Sequence, residues 1–440
     1  MNPTKTIQRY ITRHAHDVPE ASDLPAPGAE LRASVVIPAY DELENIGEVI
    51  ESLREASERP ESFEVIVVVN NAADAPAEKV EANRQTAALL EAADVPFALH
   101  IIDRFSPGRA YDPEVAGVGL ARREGADVAL ARLLEAGRAA DGLMPCLDGD
   151  SPVAPGYIDQ ILDAFDAHPD MLAGVCRYRH PVPDEAEHGR AIMAYEAWMR
   201  YWEAAMRLVG SPYAFQSIGS CMVLTARGYA LADGMPTLQA LSDFYILEKM
   251  VKTGGRGSVR QLEEPLVFPS ARPSTRVPRG TGPSVRMQME TQTSRFEMAE
   301  PPEAFFVLAK FLSAVRPGFD DPQALRAAAD HPYLADYLAE ANAWRTFDKF
   351  RDNAPTPAHF ERHFHTWFDN LKIVKFANIM KRQTGGVWLF DAAREVYAAL
   401  GLDEVAEAIP QVGADEVCLD DWRAFLEVLR RWELLGGRGG

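Results

Sequence analysis

Apolar positions in the first half of the chain come in short, dense runs separated by longer mixed stretches. Ser34-Val35-Val36-Ile37-Pro38 is the first run, Phe63-Glu64-Val65-Ile66-Val67-Val68-Val69 the second, and residues 97–102 the third. Runs of this length, rich in β-branched residues, predict strands. VIVVV, apolar at every position, suits a strand covered on both faces. The stretches between them carry apolar residues at helical spacing and predict helices over 43–56, 77–93 and 115–136. The last of these places Val118, Ala121, Leu130, Leu133 and Leu134 on its apolar side. A fourth strand is predicted at 143–147 and a fourth helix at 155–167. Strands alternating with helices imply βαβ units and a mostly parallel sheet flanked by helices, an α/β fold.

After a short apolar run at 172–176 the rhythm breaks. Residues 186–209 predict a long helix bearing Tyr195, Trp198, Tyr201 and Trp202. A strand follows at 220–224 and a helix with an acidic start at 241–252. Residues 256–286, rich in Arg, Pro, Gly and Ser, predict a loop. From about residue 300 helical patterns dominate, at 303–315, 333–344, 358–382, 388–400 and 420–435. No internal repeat of fixed period is present. The expected organisation is an N-terminal arm over 1–30, loosely held, an α/β domain over 31–290, and an α-helical C-terminal region over 291–440.

At 440 residues the chain is long for one ordinary core, in keeping with two domains. Its net charge of −20 argues against a general nucleic-acid surface, which needs basic excess to meet phosphates. A small phosphorylated ligand in a locally basic site stays compatible with that charge. Cys146, Cys176, Cys221 and Cys418 form no CxxC pair, so reduced thiols are expected rather than a disulfide framework or a zinc site. The N-terminus has no apolar core of a signal peptide, and no apolar run approaches the ~20 residues of a membrane helix. A soluble cytoplasmic protein is expected.

Candidate chemistry gathers where an open α/β sheet binds ligands, beyond the carboxyl ends of its strands. Tyr40-Asp41-Glu42 follows the first strand, Asn70-Asn71 the second, Asp103-Arg104 the third and Asp148-Gly149-Asp150 the fourth. Asp148 and Asp150 form the only Asp-x-Asp in the chain. Two carboxylates two residues apart on extended backbone point to the same side and repel unless a cation lies between them. Mg²⁺ and Mn²⁺ take oxygen ligands and are shared between carboxylates and substrate phosphates. The competing reading is a solvated Asp-Gly turn.

The loop 256–286 carries Arg256, Arg260, Arg272, Arg276, Arg279 and Arg286 against Glu263 and Glu264, a local excess of positive charge. Arginine forks bind phosphate oxygens bidentately, while a surface loop would leave them solvated. Asp243, at the start of the helix over 241–252, suits a general base; with Ser242 it equally suits a helix cap. Weaker signals are Gly117-Val118-Gly119, which lacks a full GxGxxG, and His359, His363 and His365, whose i, i+4 pair has no third ligand. The aromatic stripe from Tyr195 to Trp202 reads as packing before it reads as a sugar platform.

Taken together, SVVIPAYDELENI (34–46), FEVIVVVNNA (63–72), GVGLARREG (117–125), CLDGDSPVAPGYI (146–158) and LSDFYILEKMVKTGG (241–255) resemble the family 2 glycosyltransferases, enzymes of the GT-A fold. The resemblance covers residues 31–285. It implies a nucleotide-diphospho-sugar donor, with Pro38, Tyr40 and Glu42 lining the nucleotide pocket and Arg122 near the donor. It also implies Asp148 and Asp150 holding the nucleotide and a divalent cation, Mg²⁺ or Mn²⁺, and Asp243 as the base of an inverting enzyme. Asn70 takes a position where the family often has aspartate, and Ser242 stands where it has glutamate. The C-terminal region lies outside the resemblance.

The expected function is metal-dependent transfer of a sugar, hexosyl in the first instance, to an acceptor hydroxyl, with Arg272, Arg276 and Arg279 meeting the diphosphate. The helical C-terminal region is a place for acceptor shaping or for a homo-oligomer contact. A non-catalytic nucleotide- or sugar-binding regulator is the alternative. A sugar nucleotidyltransferase is disfavoured, because the loop after the first strand, AYDELENI, holds neither glycine nor lysine.

Overall fold

The computed structural model describes residues 2–14, 23–239, 241–291 and 295–436. Part of the expected N-terminal arm, residues 15–22, lies outside the described residues. The chain divides into two compact units, one of residues 1–181 and 217–284, the other of 182–216 and 285–440.

The first unit is built on a seven-stranded sheet. In chain order its strands are β1 (Ala33–Ala39), β2 (Phe63–Asn70), β3 (Ala98–Arg104), β4 (Leu143–Pro145), β5 (Ala173–Tyr178), β6 (Met222–Thr225) and β7 (Val259–Val267). Across the sheet they run β3-β2-β1-β4-β6-β5-β7. Only β6 opposes its neighbours; every other pairing is parallel. β1 and β2 are buried at every position, as their continuous apolar runs require. The expected architecture, a mostly parallel sheet with flanking helices followed by a helical C-terminal region, is the one observed.

Flanking helices of this unit include α1 (Pro3–His14), α2 (Ile46–Ser52), α3 (Ala77–Glu91), α4 (Val118–Glu135), α5 (Tyr157–Ala167), α7 (Ala226–Leu231) and α8 (Ser242–Gly254). α6 (Ala186–Leu208) lies between α5 and α7 in sequence but belongs to the second unit. Residues 3–14, expected as part of a loose arm, form the helix α1. It buries Ile7 and Tyr10, and the Tyr10 hydroxyl donates to Asp127 on α4 (2.8 Å). Residues 259–267, expected as loop, form β7. Their mixed pattern, with Glu263, Glu264 and Pro265, is tolerated because β7 ends the sheet and pairs on one side only.

At the opposite end of β2 from the candidate chemistry, Glu64 is buried with Arg132 (2.7 Å), His100 and Ser34 (2.7 Å). Those hydrogen-bond donors hold its carboxyl below the usual range despite burial. This cluster ties β1, β2, β3 and α4 together.

The second unit is helical apart from the pair β8 (Met298–Ala299) and β9 (Val387–Trp388). Its helices are α6, α10 (Pro302–Ser313), α11 (Pro322–Ala327), α12 (Pro332–Glu340), α13 (Ala343–Asn353), α14 (Pro357–Trp367), α15 (Asn370–Thr384), α16 (Leu389–Ala399), α17 (Asp403–Ala408) and α18 (Leu419–Gly436), with α9 (Thr281–Thr291) leading in. The aromatic stripe of α6 is packing: Trp198 and Trp202 donate to buried Glu300 (3.1 and 2.8 Å), and Tyr201 donates to its backbone oxygen. Glu196 is buried between Arg200 (2.8 Å) and Arg430 of α18 (2.8 Å). His359, His363 and His365 do not converge. His359 meets the cap residue Thr356, His363 stacks on Phe350, and His365 is buried beside Phe364. No described helix is long and apolar enough to cross a membrane.

Candidate functional site

The candidate site starts where β1 and β4 part. The amide of Leu147 donates to the carbonyl of Val36 (3.0 Å), the last such bond between the two segments, and beyond it they diverge. Ser34, Val36 and Pro38 face β4 in the pleat. Pro38, which has no amide hydrogen, therefore falls where no ladder bond is needed, and it is buried within β1. The opening lies at the switch point of the strand order, with β2 on one side of β1 and β4 on the other.

Two loops fill that opening. After β1, Asp41 takes a left-handed conformation (φ 57°), which Asp tolerates better than most residues. Its amide donates to the side chain of Asn83 (2.9 Å), and its carboxylate pairs with Lys79 (2.5 Å). The turn aims Glu42 inward, where it is only 5% exposed. After β4, Gly149 packs against Glu42; a Cβ there would lie 2.8 Å from the Glu42 Cγ. Gly149 is thus what lets the two acidic loops touch.

Three arginines meet these acids. Arg272 bridges Glu42 (2.5 Å) and Asp150 (2.7 Å). Arg276 pairs with Glu42, lies 3.5 Å from Asp150, and donates to the carbonyl of Tyr40 (2.9 Å). Arg122 of α4, buried, holds Asp148 (2.6 Å) and reaches the Ser242 hydroxyl (3.3 Å). A side chain at Gly219 would put its Cβ 2.6 Å from Arg122, so glycine keeps that guanidinium in place. Asp243 follows Ser242 at the start of α8, partly exposed, and accepts from the amide of Phe244 (2.9 Å).

Burial dominates the electrostatics. It pushes Glu42 up to about 7, with Arg272 and Asn45 offsetting part of the cost. Burial and the neighbouring Glu42 push Asp150 up to about 7 as well. Asp243 is raised by burial against the pull of Arg122. Acids raised in this way, in spite of arginine partners, mark a crowded carboxylate site. Cys146, next to the Asp-x-Asp, is pushed up to about 12 by burial and is an inert thiol.

Of the sequence candidates, Tyr40, Glu42, Arg122, Asp148, Asp150, Asp243, Arg272 and Arg276 come together. Pro38 sits one turn of the pleat below them. Asn70 is buried, and its side-chain amide donates to the carbonyls of Ala39 and Val68 (both 3.1 Å), so it fastens the end of β2 to β1. Arg279 is exposed and outside the cluster. Gly119 of the Gly-Val-Gly stretch serves close packing, since a Cβ there would fall 2.2 Å from the carbonyl of Leu238.

Asn83 escaped the sequence reading. It is fully buried on α3 and holds three groups: the Asp41 amide, the Asn70 carbonyl (2.9 Å) and the Asn71 side chain (2.9 Å). The signal was present as Lys79 and Asn83, one helical turn apart on a helix face otherwise lined by Thr86, Ala87 and Leu90.

Asp148 and Asp150 offer two carboxylates, one of them 36% exposed at the mouth of the site. Among the described residues no three His, Cys, Asp or Glu side chains converge as a complete ligand set. Two protein carboxylates, with substrate phosphates and water supplying the rest, is the donor set expected of Mg²⁺ or Mn²⁺, so the residues fit such an ion.

Comparison with known proteins gives one match in sequence: the model of the family described as Glycosyl transferase family 2 matches residues 34–91. No curated protein matches the chain. Among solved structures, S. aureus TarS 1-349 in complex with UDP-GlcNAc is similar at 12% identity and a TM-score of 0.37, over 91% of this chain and 92% of that one. The mannosyltransferase PcManGT from Pyrobaculum calidifontis, in complex with GDP-Man and Mn2+, is similar at 16% identity and a TM-score of 0.33, over 92% of this chain and 99% of that one. The matched segment runs from β1 through α3 and holds the Tyr40-Asp41-Glu42 loop, so the likeness in sequence to the family 2 glycosyltransferases is carried by this part of the chain.

Proposed function

We propose that the chain transfers a sugar, hexosyl in the first instance, from a nucleotide-diphospho-sugar to an acceptor hydroxyl. The observation that carries this reading is the convergence of Glu42, Asp148 and Asp150 with Arg122, Arg272 and Arg276 at the switch point of the sheet, beside Asp243. A site that brings arginine forks and two carboxylates of an Asp-x-Asp together suits a diphosphate and its counter-ion.

Asp148 and Asp150 would hold a divalent ion, which supplies positive charge to the leaving diphosphate. Arg272 and Arg276 would exchange part of their carboxylate contacts for phosphate oxygens and neutralise charge as it develops. Arg122 orients Asp148 from beneath. Tyr40 and Glu42 line the nucleotide side, with Pro38 and Asn70 shaping the strand ends behind them. Asp243, its proton affinity raised by burial, would accept the proton of the acceptor hydroxyl as the hydroxyl attacks the anomeric carbon. Direct attack of that kind inverts the anomeric centre.

The test is a thermal-shift screen of UDP, GDP, ADP and dTDP with and without Mn²⁺, followed by turnover of the matching sugar donors. A ligand that binds only the native state raises its melting point. The expected result is a shift from one nucleotide that needs Mn²⁺, lost in both Asp148→Ala and Asp150→Ala. No shift from any nucleotide would overturn the donor reading. A shift that survives in both variants would overturn the metal assignment. Binding without turnover of any donor would favour a regulator over an enzyme.

A further inference from the structure

The segment that delivers Asp243 is held from outside the site. Between α7 and α8 the described residues are 232–239 and 241, and they include two non-glycine residues in the left-handed region, Asp233 (φ 60°) and Leu241 (φ 66°). Leu241 immediately precedes Ser242 and Asp243, so the direction of the carboxylate depends on a backbone conformation that costs free energy and must be imposed by surroundings.

Helix α1 supplies one set of surroundings. Arg13 and His14 both reach the Asp233 carboxylate at 3.1 Å. Tyr10 lies so close to Gly234 that a Cβ there would sit 2.2 Å from its hydroxyl oxygen. The Tyr10 hydroxyl donates to Asp127 of α4 (2.8 Å), and the Tyr229 hydroxyl of α7 donates to the same oxygen (2.7 Å). Helix α4 supplies the other set. Arg123 donates to the carbonyl of Met235 (3.4 Å) and contacts the His14 ring (3.2 Å), and Gly119 receives the carbonyl of Leu238. The residue before Arg123 is Arg122, which holds Asp148 and Ser242.

We propose that α1 is a brace for the site: Arg13 and His14, acting through Asp233, and Tyr10, acting through Gly234, are positioning residues. They fix residues 233–239 against α4 and so set Asp243 in register with Arg122 and Asp148. The proposal rests on the reading of Asp243 as the base. The contacts themselves do not depend on that reading.

Asp233→Asn is the discriminating variant. Asn adopts the left-handed conformation as readily as Asp, so the backbone at 233 is kept while the ion pairs to Arg13 and His14 are lost. Asp233 and Arg13 are both solvent-exposed, so folding is retained. Amide hydrogen exchange of residues 234–239, measured in Asp233→Asn and in an Arg13→Ala/His14→Ala double variant, should speed up, with exchange around residues 148–150 unchanged. Nucleotide affinity should stay as in the parent chain, while kcat falls by about fivefold, the scale set by weak surface ion pairs. Arg13→Lys, which keeps the positive charge facing Asp233, should stay close to the parent chain in both exchange and kcat. Unchanged exchange at 234–239 overturns the brace. Faster exchange with unchanged kcat overturns its link to Asp243. If the parent chain turns over no donor, the function proposed above fails, and the exchange measurement alone decides the brace.

Discussion

Gly149 and Glu42 meet where a single methyl group would not fit. Replacing Gly149 with Ala would force the Glu42 side chain away from Arg272 and Arg276, at a cost of about 1–3 kcal/mol for overpacking. Chemical denaturation should show that loss, and nucleotide titration should show weaker binding; intact affinity would remove Glu42 from the nucleotide side. Glu42 also makes stability depend on pH. Its carboxyl sits at about 7 in the folded chain against an ordinary 4.5, so the folded state holds the proton more tightly than the unfolded one. Its contribution is present below about 4.5 and is lost as pH rises through 7. Thermal melts from pH 5 to pH 8 should therefore fall less in Glu42→Gln than in the parent chain; parallel curves would show that Glu42 stays ionised. Glu42, Asp148 and Asp150 were legible as candidates because each follows the carboxyl end of a strand, where an open α/β sheet takes its ligands. Asn83 was legible only as a polar position one turn from Lys79 on a face otherwise lined by Thr86, Ala87 and Leu90; which strand ends it ties was set by the tertiary fold.

Helix α3 carries that tie, and its effect is felt one element away. Asn83→Ala would leave the Asp41 amide and the Asn70 carbonyl without their buried partner, at about 1–3 kcal/mol. Urea unfolding should register the loss, and Lys79→Ala, which touches only the half-buried Asp41 carboxylate, should cost less. The βα alternation of residues 33–178 was readable because β1 and β2 are dense β-branched runs and α5 has one apolar side, which set the rhythm for the elements between them. Elsewhere local chemistry overrode periodicity. The stretch 333–344 reads as one helix but breaks at Asn342, which turns left-handed (φ 49°) between α12 and α13. The stretch 358–382 reads as one helix but is two, because Asp369 caps the amide of Lys372 and starts α15 afresh. Helix α1 was hidden by a mean polarity that conceals Ile7 and Tyr10 on one face.

At the scale of the whole molecule the chain order and the spatial order disagree. The second unit takes α6 from the middle of the sequence and completes it with residues from 285 onward. Within that unit Tyr201 and Trp202 of α6 pack on Phe305 of α10, and Glu196 finds Arg430 of α18. A chain cut after residue 290 keeps every strand of the large sheet but leaves the α6 face uncovered and Glu196 without Arg430. It should bind a dye specific for exposed apolar surface and aggregate, whereas the full chain should do neither; a well-behaved monomer of 1–290 would contradict the division. The same arrangement sets a timetable for biosynthesis. Once α6 has left the ribosome, about ninety more residues must be added before α10 follows, which takes roughly 5–20 s at ordinary elongation rates. Throughout that interval the nascent chain displays Trp198, Tyr201 and Trp202 with nothing of their own to bury them. Helix α6 is therefore the segment on which a holding chaperone would act, and slowing translation after residue 208 should lower the yield of folded protein.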